Sequence, residues 1–133
     1  MIRIIDLAPV ACPRPRVTRR GVFYSNKYIE WTKTAERMLR DLRLSMMTGA
    51  IELDITFVIK RPKSLMRRAD PDERIAHTKR PDLDNYLKSF LDAAQKAGLF
   101  NDDSQIYRVD ARKKYSAKSE NPKINFELKE GRC

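Results

Sequence analysis

The chain has 133 residues and a mass of 15.6 kDa, the size of one domain that can bury its own hydrophobic core. With 41% hydrophobic and 35% charged residues it has the composition of a soluble globular protein, and no apolar run approaches the roughly 20 residues that span a bilayer. We therefore expect a cytoplasmic protein without membrane contact. The formal charge of +10 favours a polyanionic partner such as nucleic acid, although a merely basic surface explains it equally well. Cys12 and Cys133 lack the spacing of a metal site and receive no role.

The N-terminal third is predicted to form a strand, a basic loop and a helix. Residues 2–8 are mostly apolar and suggest a strand, which the prolines and arginines that follow cannot continue. Over residues 28–46 apolar side chains recur at helical spacing, so we predict the first helix here. Ser25 or Asn26 can cap its first turn, and Gly49 is a suitable end.

The middle third is predicted to form a strand, a second basic loop and a second helix. Residues 51–60 alternate between apolar and polar side chains, which is typical of a strand with one buried face. Residues 61–80 are rich in Lys and Arg, contain prolines and show no clear periodicity, so we predict a mobile loop. Apolar residues between Leu83 and Ala94 form one stripe of a second helix, which Gly98 closes.

The last third is predicted to contain two strands, over residues 105–116 and 123–129, joined by a turn as a C-terminal hairpin. The complete element order is then β-α-β-α-β-β. This order predicts a small α+β fold over residues 1–133, a single domain with a mixed sheet and two main helices.

Acidic residues collect around the second predicted helix. Pro81 suits a helix start, so Asp82 and Asp84 lie where two carboxylates can point at one ion. A second pair, Asp102 and Asp103, follows after the helix. A single Asp at a helix start is usually a cap for free N–H groups. One cap needs one carboxylate, however, and several acids repel each other unless a cation is bound. We therefore favour a site for a hard divalent ion such as Mg²⁺.

Lys88 lies one helical turn after Asp84 and therefore on the same face of the helix. It either forms an ordinary ion pair with that acid, worth about 0.2–0.5 kcal/mol, or stabilises charge on a phosphate beside the metal, and spacing alone does not separate the two. Asn85 is interpreted as a solvent-facing helix residue. The single histidine, His77, lies in the basic loop, where we expect an exposed side chain without a catalytic role.

The segment Arg80-Pro-Asp-Leu-Asp-Asn-Tyr-Leu-Lys88, followed by Leu91-Asp-Ala and by Asn101-Asp-Asp-Ser-Gln-Ile106, resembles the RusA family of Holliday junction resolvases. The likeness extends to the opening strand, the Pro- and Arg-rich segment, the His-Thr-Lys-Arg approach to the motif and the predicted C-terminal hairpin. It implies a homodimeric endonuclease that binds four-way DNA junctions and uses Mg²⁺ or Mn²⁺ to nick two strands symmetrically. Tyr86 stands where a smaller aliphatic residue is often found, a minor departure.

By motif position, the resemblance implies that Asp82, Asp84 and Asp103 bind the metal and that Lys88 is an essential lysine. Basic residues of both loops would hold DNA backbones, with an affinity that depends on salt more than on sequence. These residues are Arg14, Arg16, Arg19, Arg20, Lys63, Arg67, Arg68, Arg74, Lys79 and Arg80. Two other functions stay open from the sequence: a branched-DNA-binding protein without catalysis, and a nuclease of the same fold that acts on other branched DNA.

Overall fold

The computed structural model describes residues 1–131, which form seven strands and two α-helices. In chain order the elements are β1 (Arg3–Ile5), β2 (Arg16–Thr18), β3 (Gly21–Phe23), α1 (Asn26–Asp41), β4 (Ile51–Ile59), β5 (Ile75–Ala76), α2 (Leu83–Lys96), β6 (Ile106–Tyr115) and β7 (Lys123–Glu130). Short 3-10 helices occupy Lys63–Leu65 and Asp103–Gln105. The predicted α+β class is confirmed. Cys133, which received no role, lies outside the described residues.

Five of the strands form one mixed sheet in the order β1-β7-β4-β6-β5, whereas β2 and β3 form a separate hairpin. The central strand β4 runs parallel to β6 and antiparallel to β7. The predicted C-terminal hairpin is therefore wrong, because β6 and β7 flank β4 instead of pairing with each other. β4 is largely buried, and both of its edges need hydrogen-bonding partners. α2 provides the crossover that the parallel pair of β4 and β6 requires.

The hydrophobic core lies between the sheet and the two helices. Alternate residues of β4 from Ile51 to Phe57 are buried, in the period of two that the sequence predicted. Trp31 of α1 and Phe90 of α2 belong to the same core, and the Phe90 ring lies 5.0 Å from the ring of Phe126 on β7. None of the described helices is long and apolar enough to cross a membrane.

Helix α1 begins where predicted but ends earlier. Ser25 is its N-cap, and the Ser25 hydroxyl accepts a hydrogen bond from a backbone N–H of the first turn at 3.3 Å. The helix ends before Arg43, which adopts a positive φ of 53°, so the predicted end at Gly49 is wrong. The apolar pattern continues past the helix because Leu44 and Met47 pack against the core from irregular chain.

The two basic loops contain more regular structure than the sequence pattern indicates. In the first, residues 16–23 form the β2–β3 hairpin, whose turn places Gly21 at a φ of 128°. In the second, residues 61–80, strand β5 pairs with the edge of β6. The segment therefore contains a short strand that the sequence did not predict, and its mobility stays a prediction. By contrast, Gly98 follows α2 with a φ of 83°, as the sequence predicted.

Candidate active site at the start of helix α2

Asp82 occupies the N-cap position of α2, directly after Pro81. Its backbone carbonyl accepts hydrogen bonds from the N–H groups of Asn85 and Tyr86 at 3.2 and 3.5 Å. Its carboxylate is exposed and makes no capping hydrogen bond within the described chain. The usual reason for an Asp at this position, satisfaction of free helix N–H groups, therefore does not account for this side chain.

Asp84 lies in the first turn of α2, and Lys88 follows one turn later on the same face. Both are exposed, and neither forms an ion pair with another of residues 1–131. Asp92, one turn further, accepts a hydrogen bond from the Tyr28 hydroxyl at 3.2 Å. Burial, together with contacts to Cys12 and Asp92, raises the pKa of that hydroxyl. The fold thus uses Asp92 internally and leaves Asp84 and Lys88 available to a ligand.

A groove of ≈ 450 Å³ opens beside Asp82. Arg14 lines it from the N-terminal segment, and Arg80 and Asn85 line it from either side of the helix start. The Cys12 N–H holds the N-terminal segment in place by donating a hydrogen bond to the Asn85 carbonyl at 2.9 Å. The fold therefore brings a free carboxylate and two of the predicted DNA-binding arginines to one opening.

The segment 77–81 leads to this site and lies along β6. His77 is buried, with 7% of its surface exposed, and its ring lies 4.4 Å from the ring of Tyr115, so the expectation of an exposed histidine is wrong. The backbone N–H of His77 donates a hydrogen bond to the backbone carbonyl of Lys113 at 3.3 Å. Burial, and then the charge of Lys113, lowers the pKa of the imidazole. His77 thus belongs to the packing of this segment, because pairing of β5 with the sheet edge draws it inward.

Lys113 is a residue of this region that the sequence analysis missed. Its ammonium donates hydrogen bonds to the carbonyls of Lys79 and Pro81, at 2.5 and 2.7 Å. Its position on β6 is far along the chain from the acids. The sequence carries no signal for this contact, because it depends on which strand lies beside the segment.

Asp103 opens the 3-10 helix that follows α2, and Asp102 caps this helix. The Asp102 carboxylate accepts from the Ser104 N–H at 3.0 Å, and the Gln105 side chain accepts from the Asp102 N–H at 2.8 Å, a capping box. The hydrogen bond with Ser104 lowers the pKa of Asp102. Hydrogen bonding with Asp102 raises the pKa of Asp103.

The three predicted metal ligands do not form one cluster. Asp82 and Asp84 lie at the start of α2, and Asp103 comes after its end. A helix of this length extends about 20 Å. Within residues 1–131 no three His, Cys, Asp or Glu side chains lie together in a way that could hold a metal ion. The structure therefore brings Asp82 and Asp84 to one turn, and the role of Asp103 stays a prediction.

The basic residues predicted to bind DNA are distributed over three surfaces. They are exposed at the groove or directly before it in the chain (Arg14 and Arg80, and Lys79), on or next to the β2–β3 hairpin (Arg16, Arg19 and Arg20) and in the second loop (Lys63, Arg67 and Arg68). Arg74 differs, because its guanidinium makes two hydrogen bonds to the Glu120 carboxylate at 2.9 and 2.6 Å. This contact lowers the pKa of Glu120 to about 2. A contact between Arg74 and a phosphate would have to compete with this ion pair.

Arg61 is a second residue that the sequence analysis missed. It is buried, with 4% exposed, and its guanidinium donates four hydrogen bonds to backbone carbonyls at 2.5–3.1 Å. The acceptors are the carbonyls of Leu65, Pro71, Glu73 and Ser116. The backbone of the second basic loop is thus arranged around the buried Arg61 guanidinium. This arrangement leaves most of the other basic residues of the loop exposed on the surface.

The fold and the site together define a small α+β domain with free carboxylates at a helix start beside a basic groove. The family model described as endodeoxyribonuclease RusA matches residues 6–129, and the chain belongs to that family. The chain is also similar to the uncharacterized protein YqaN of Bacillus subtilis (strain 168), with 29% identity over 91 residues, 65% of this chain and 61% of that protein. The matched region therefore spans about three fifths of this relative's length.

Proposed function

We propose that this chain is a metal-dependent endodeoxyribonuclease that resolves Holliday junctions by paired, symmetric nicks in DNA recombination and repair. The observation that carries the proposal is the state of Asp82, Asp84 and Lys88, which are exposed on the first turns of α2 and unpaired within the described chain. Charged side chains that no internal partner uses are available to a ligand. Membership of the RusA family supports DNA as that ligand.

Asp82 and Asp84 would hold the metal ion, Mg²⁺ or Mn²⁺. Their carboxylates fit this role because they are exposed and uncompensated, and Mg²⁺ is usually held by one or two carboxylates together with substrate phosphate. When bound, the ion polarises the scissile phosphate and lowers the pKa of a water molecule. Asp103 is proposed as a further ligand on its motif position alone.

Lys88 would contact the phosphate under attack. Its ammonium lies on the same face of α2 as Asp84, one turn further from the helix start. A cation at this point stabilises the negative charge that develops on the phosphate oxygens. The lack of an ion pair between Lys88 and either neighbouring acid, within the chain as described, supports this role over a structural one.

The exposed basic residues of the groove, the hairpin and the second loop would hold the backbones of the junction arms. This contribution releases counterions and therefore falls steeply with salt concentration. A four-way junction has two-fold symmetry, and paired nicks require two active sites. We therefore propose that the enzyme acts as a homodimer.

The decisive experiment measures cleavage of a synthetic four-way junction with Mg²⁺, with Mn²⁺ and with EDTA. We expect symmetric nicks in two strands, only with metal. The Asp82→Asn variant should bind the junction without nicking it, because the amide keeps the shape but loses the charge. Asp41→Asn, at an exposed acid at the end of α1, serves as the matched control and should cleave normally.

Other results would select another function. Junction binding without nicking under any metal condition would favour a non-catalytic DNA-binding protein. Faster cleavage of flaps or forks than of four-way junctions would favour a nuclease for other branched DNA. Nicking that survives both Asp82→Asn and Asp84→Asn would contradict the proposed site.

A further inference from the structure

We propose that Lys113 is a positioning residue, which fixes the path of residues 79–81 and thereby aims Asp82 at the bound metal ion. This inference rests on the function proposed above. Lys113 lies on β6, outside the acidic motif and outside the helix that carries it. Its role would therefore be exerted through the backbone that leads to Asp82, without contact with the substrate.

The position of Lys113 on the sheet explains why its side chain reaches this backbone. Side chains alternate between the two faces of a strand. Lys113 is in register with Phe57, which belongs to the core covered by the helices, whereas Lys114 is in register with Val58 on the opposite face. Lys113 is half-buried on the helix-covered face, so its side chain extends towards the segment that leads into α2, where its ammonium finds backbone acceptors.

The acceptors are the carbonyls on both sides of Arg80. Lys113 donates to the carbonyl of Lys79 at 2.5 Å and to that of Pro81 at 2.7 Å. Hydrogen bonds from a charged donor are stronger than those between neutral groups. Asp82 comes directly after the second of these carbonyls. The two bonds therefore fix the direction in which the chain enters α2.

Asp82 depends on this backbone more than an ordinary N-cap residue does. Its carboxylate makes no capping hydrogen bond within the described chain, so its side chain is not held by the helix. Backbone attachment to β6 also ends before it, since Ala76 is the last paired residue of β5 and His77 makes the last backbone hydrogen bond of this segment to β6, as far as the structure describes it. The Lys113 side chain extends that attachment to the helix start.

The test compares Lys113→Met with Lys114→Met, which removes the same charge from the neighbouring residue on the opposite face. Hydrogen exchange of residues 77–84, measured without metal, should rise in Lys113→Met only. The dissociation constant for Mn²⁺, measured by water-proton relaxation, should rise about 10- to 100-fold in Lys113→Met, the usual effect of losing a group that orients a ligand. Junction affinity in EDTA should be similar in the two variants.

Lys113→Arg keeps a charged donor and should recover part of the Mn²⁺ affinity, provided that thermal unfolding shows both variants to be folded. Unchanged exchange in Lys113→Met, or equal Mn²⁺ affinities of the two Met variants, would overturn the proposal. A weaker junction complex with a smaller salt dependence and normal Mn²⁺ affinity would make Lys113 a phosphate contact and also overturn it. If the wild type binds no Mn²⁺, the proposed function and the aiming role fail, while the exchange data separately decide whether Lys113 holds the segment.

Discussion

Acids lie at both ends of α2, and the protein uses them differently. At the start, Asp82 occupies a cap position but leaves its carboxylate free, and Asp84 is exposed beside it. Beyond the end of α2, the Asp102 carboxylate accepts a hydrogen bond from the Ser104 N–H, and Asp102 forms a capping box with Gln105. Residue type and position at a helix start therefore do not decide whether an acid is structural. The hydrogen-bonding partner of its carboxylate decides it.

The largest effect should follow from Asp82→Asn or Asp84→Asn. Loss of a carboxylate that is proposed to bind the metal would remove several kcal/mol of transition-state stabilisation, so cleavage should fall by at least about 1000-fold. The free energy of unfolding should change by less than about 0.5 kcal/mol, because no internal contact is lost. Single-turnover cleavage and urea unfolding measure the two quantities. A large loss of stability with normal cleavage would show that Asp82 and Asp84 are structural, as Asp102 is.

Lys88→Met should reduce the cleavage rate by about 100- to 1000-fold, the range for removing one group that stabilises transition-state charge. Binding of the junction in EDTA should change little, since one phosphate contact among many is lost. Lys96→Met, in the last turn of the same helix, is the matched control and should cleave normally. Equal rates for the two variants would reduce Lys88 to a surface lysine.

Glu120→Gln tests an acid that is bonded internally, as Asp102 is. The pKa of Glu120 is lowered from 4.5 to about 2, chiefly by Arg74, so the folded state binds this proton less readily than the unfolded state. The stabilisation is present above pH 4.5 and is lost as the pH falls towards 2. At pH 7 the variant should be less stable by about 2 kcal/mol, after allowance for solvent screening. Urea unfolding across this pH range should show the difference shrinking; a constant difference would contradict the assignment.

The smallest effect should come from Asp102→Ala. Loss of the cap should lower the free energy of unfolding only slightly, because the Asp102 carboxylate is exposed. Nicking should persist, because the Asp102 carboxylate already accepts a hydrogen bond from the Ser104 N–H. Asp103→Asn, by comparison, should abolish nicking if Asp103 is a ligand. Junction cleavage by both variants separates these neighbours, and inactive Asp102→Ala protein of normal stability would place Asp102 in the site.

The sequence predicted those features that depend on local periodicity and on short motifs. The start of α1 at Ser25 or Asn26, the closing of α2 by Gly98 and the buried face of β4 follow from spacing and cap chemistry. All are confirmed, with Ser25 as the cap. The grouping of Asp82 with Asp84 in one turn follows in the same way. These features need only the residues that are neighbours in the chain.

The features that the sequence did not predict depend on which elements become neighbours in space. Alternation shows which side of a strand is buried but not which strand lies next to it. The sequence therefore predicts a hairpin of β6 and β7, whereas in the structure β4 lies between them. For the same reason, His77 was expected on the surface. The contacts of Arg61 and Lys113 are with backbone carbonyls, which every residue carries, so no side-chain pattern indicates them.

The parallel pairing of β4 with β6 ties the assembly of the site to the slow part of folding. Ile51 pairs with Ile106, more than fifty positions later, and contacts of such long range slow folding because their loops are costly to close. Lys113 lies on β6, so its hold on the start of α2 is established only when the sheet is complete. For the proposed nuclease, the basic segments would be able to attract DNA before residues 79–81 are held in place and the active site is assembled.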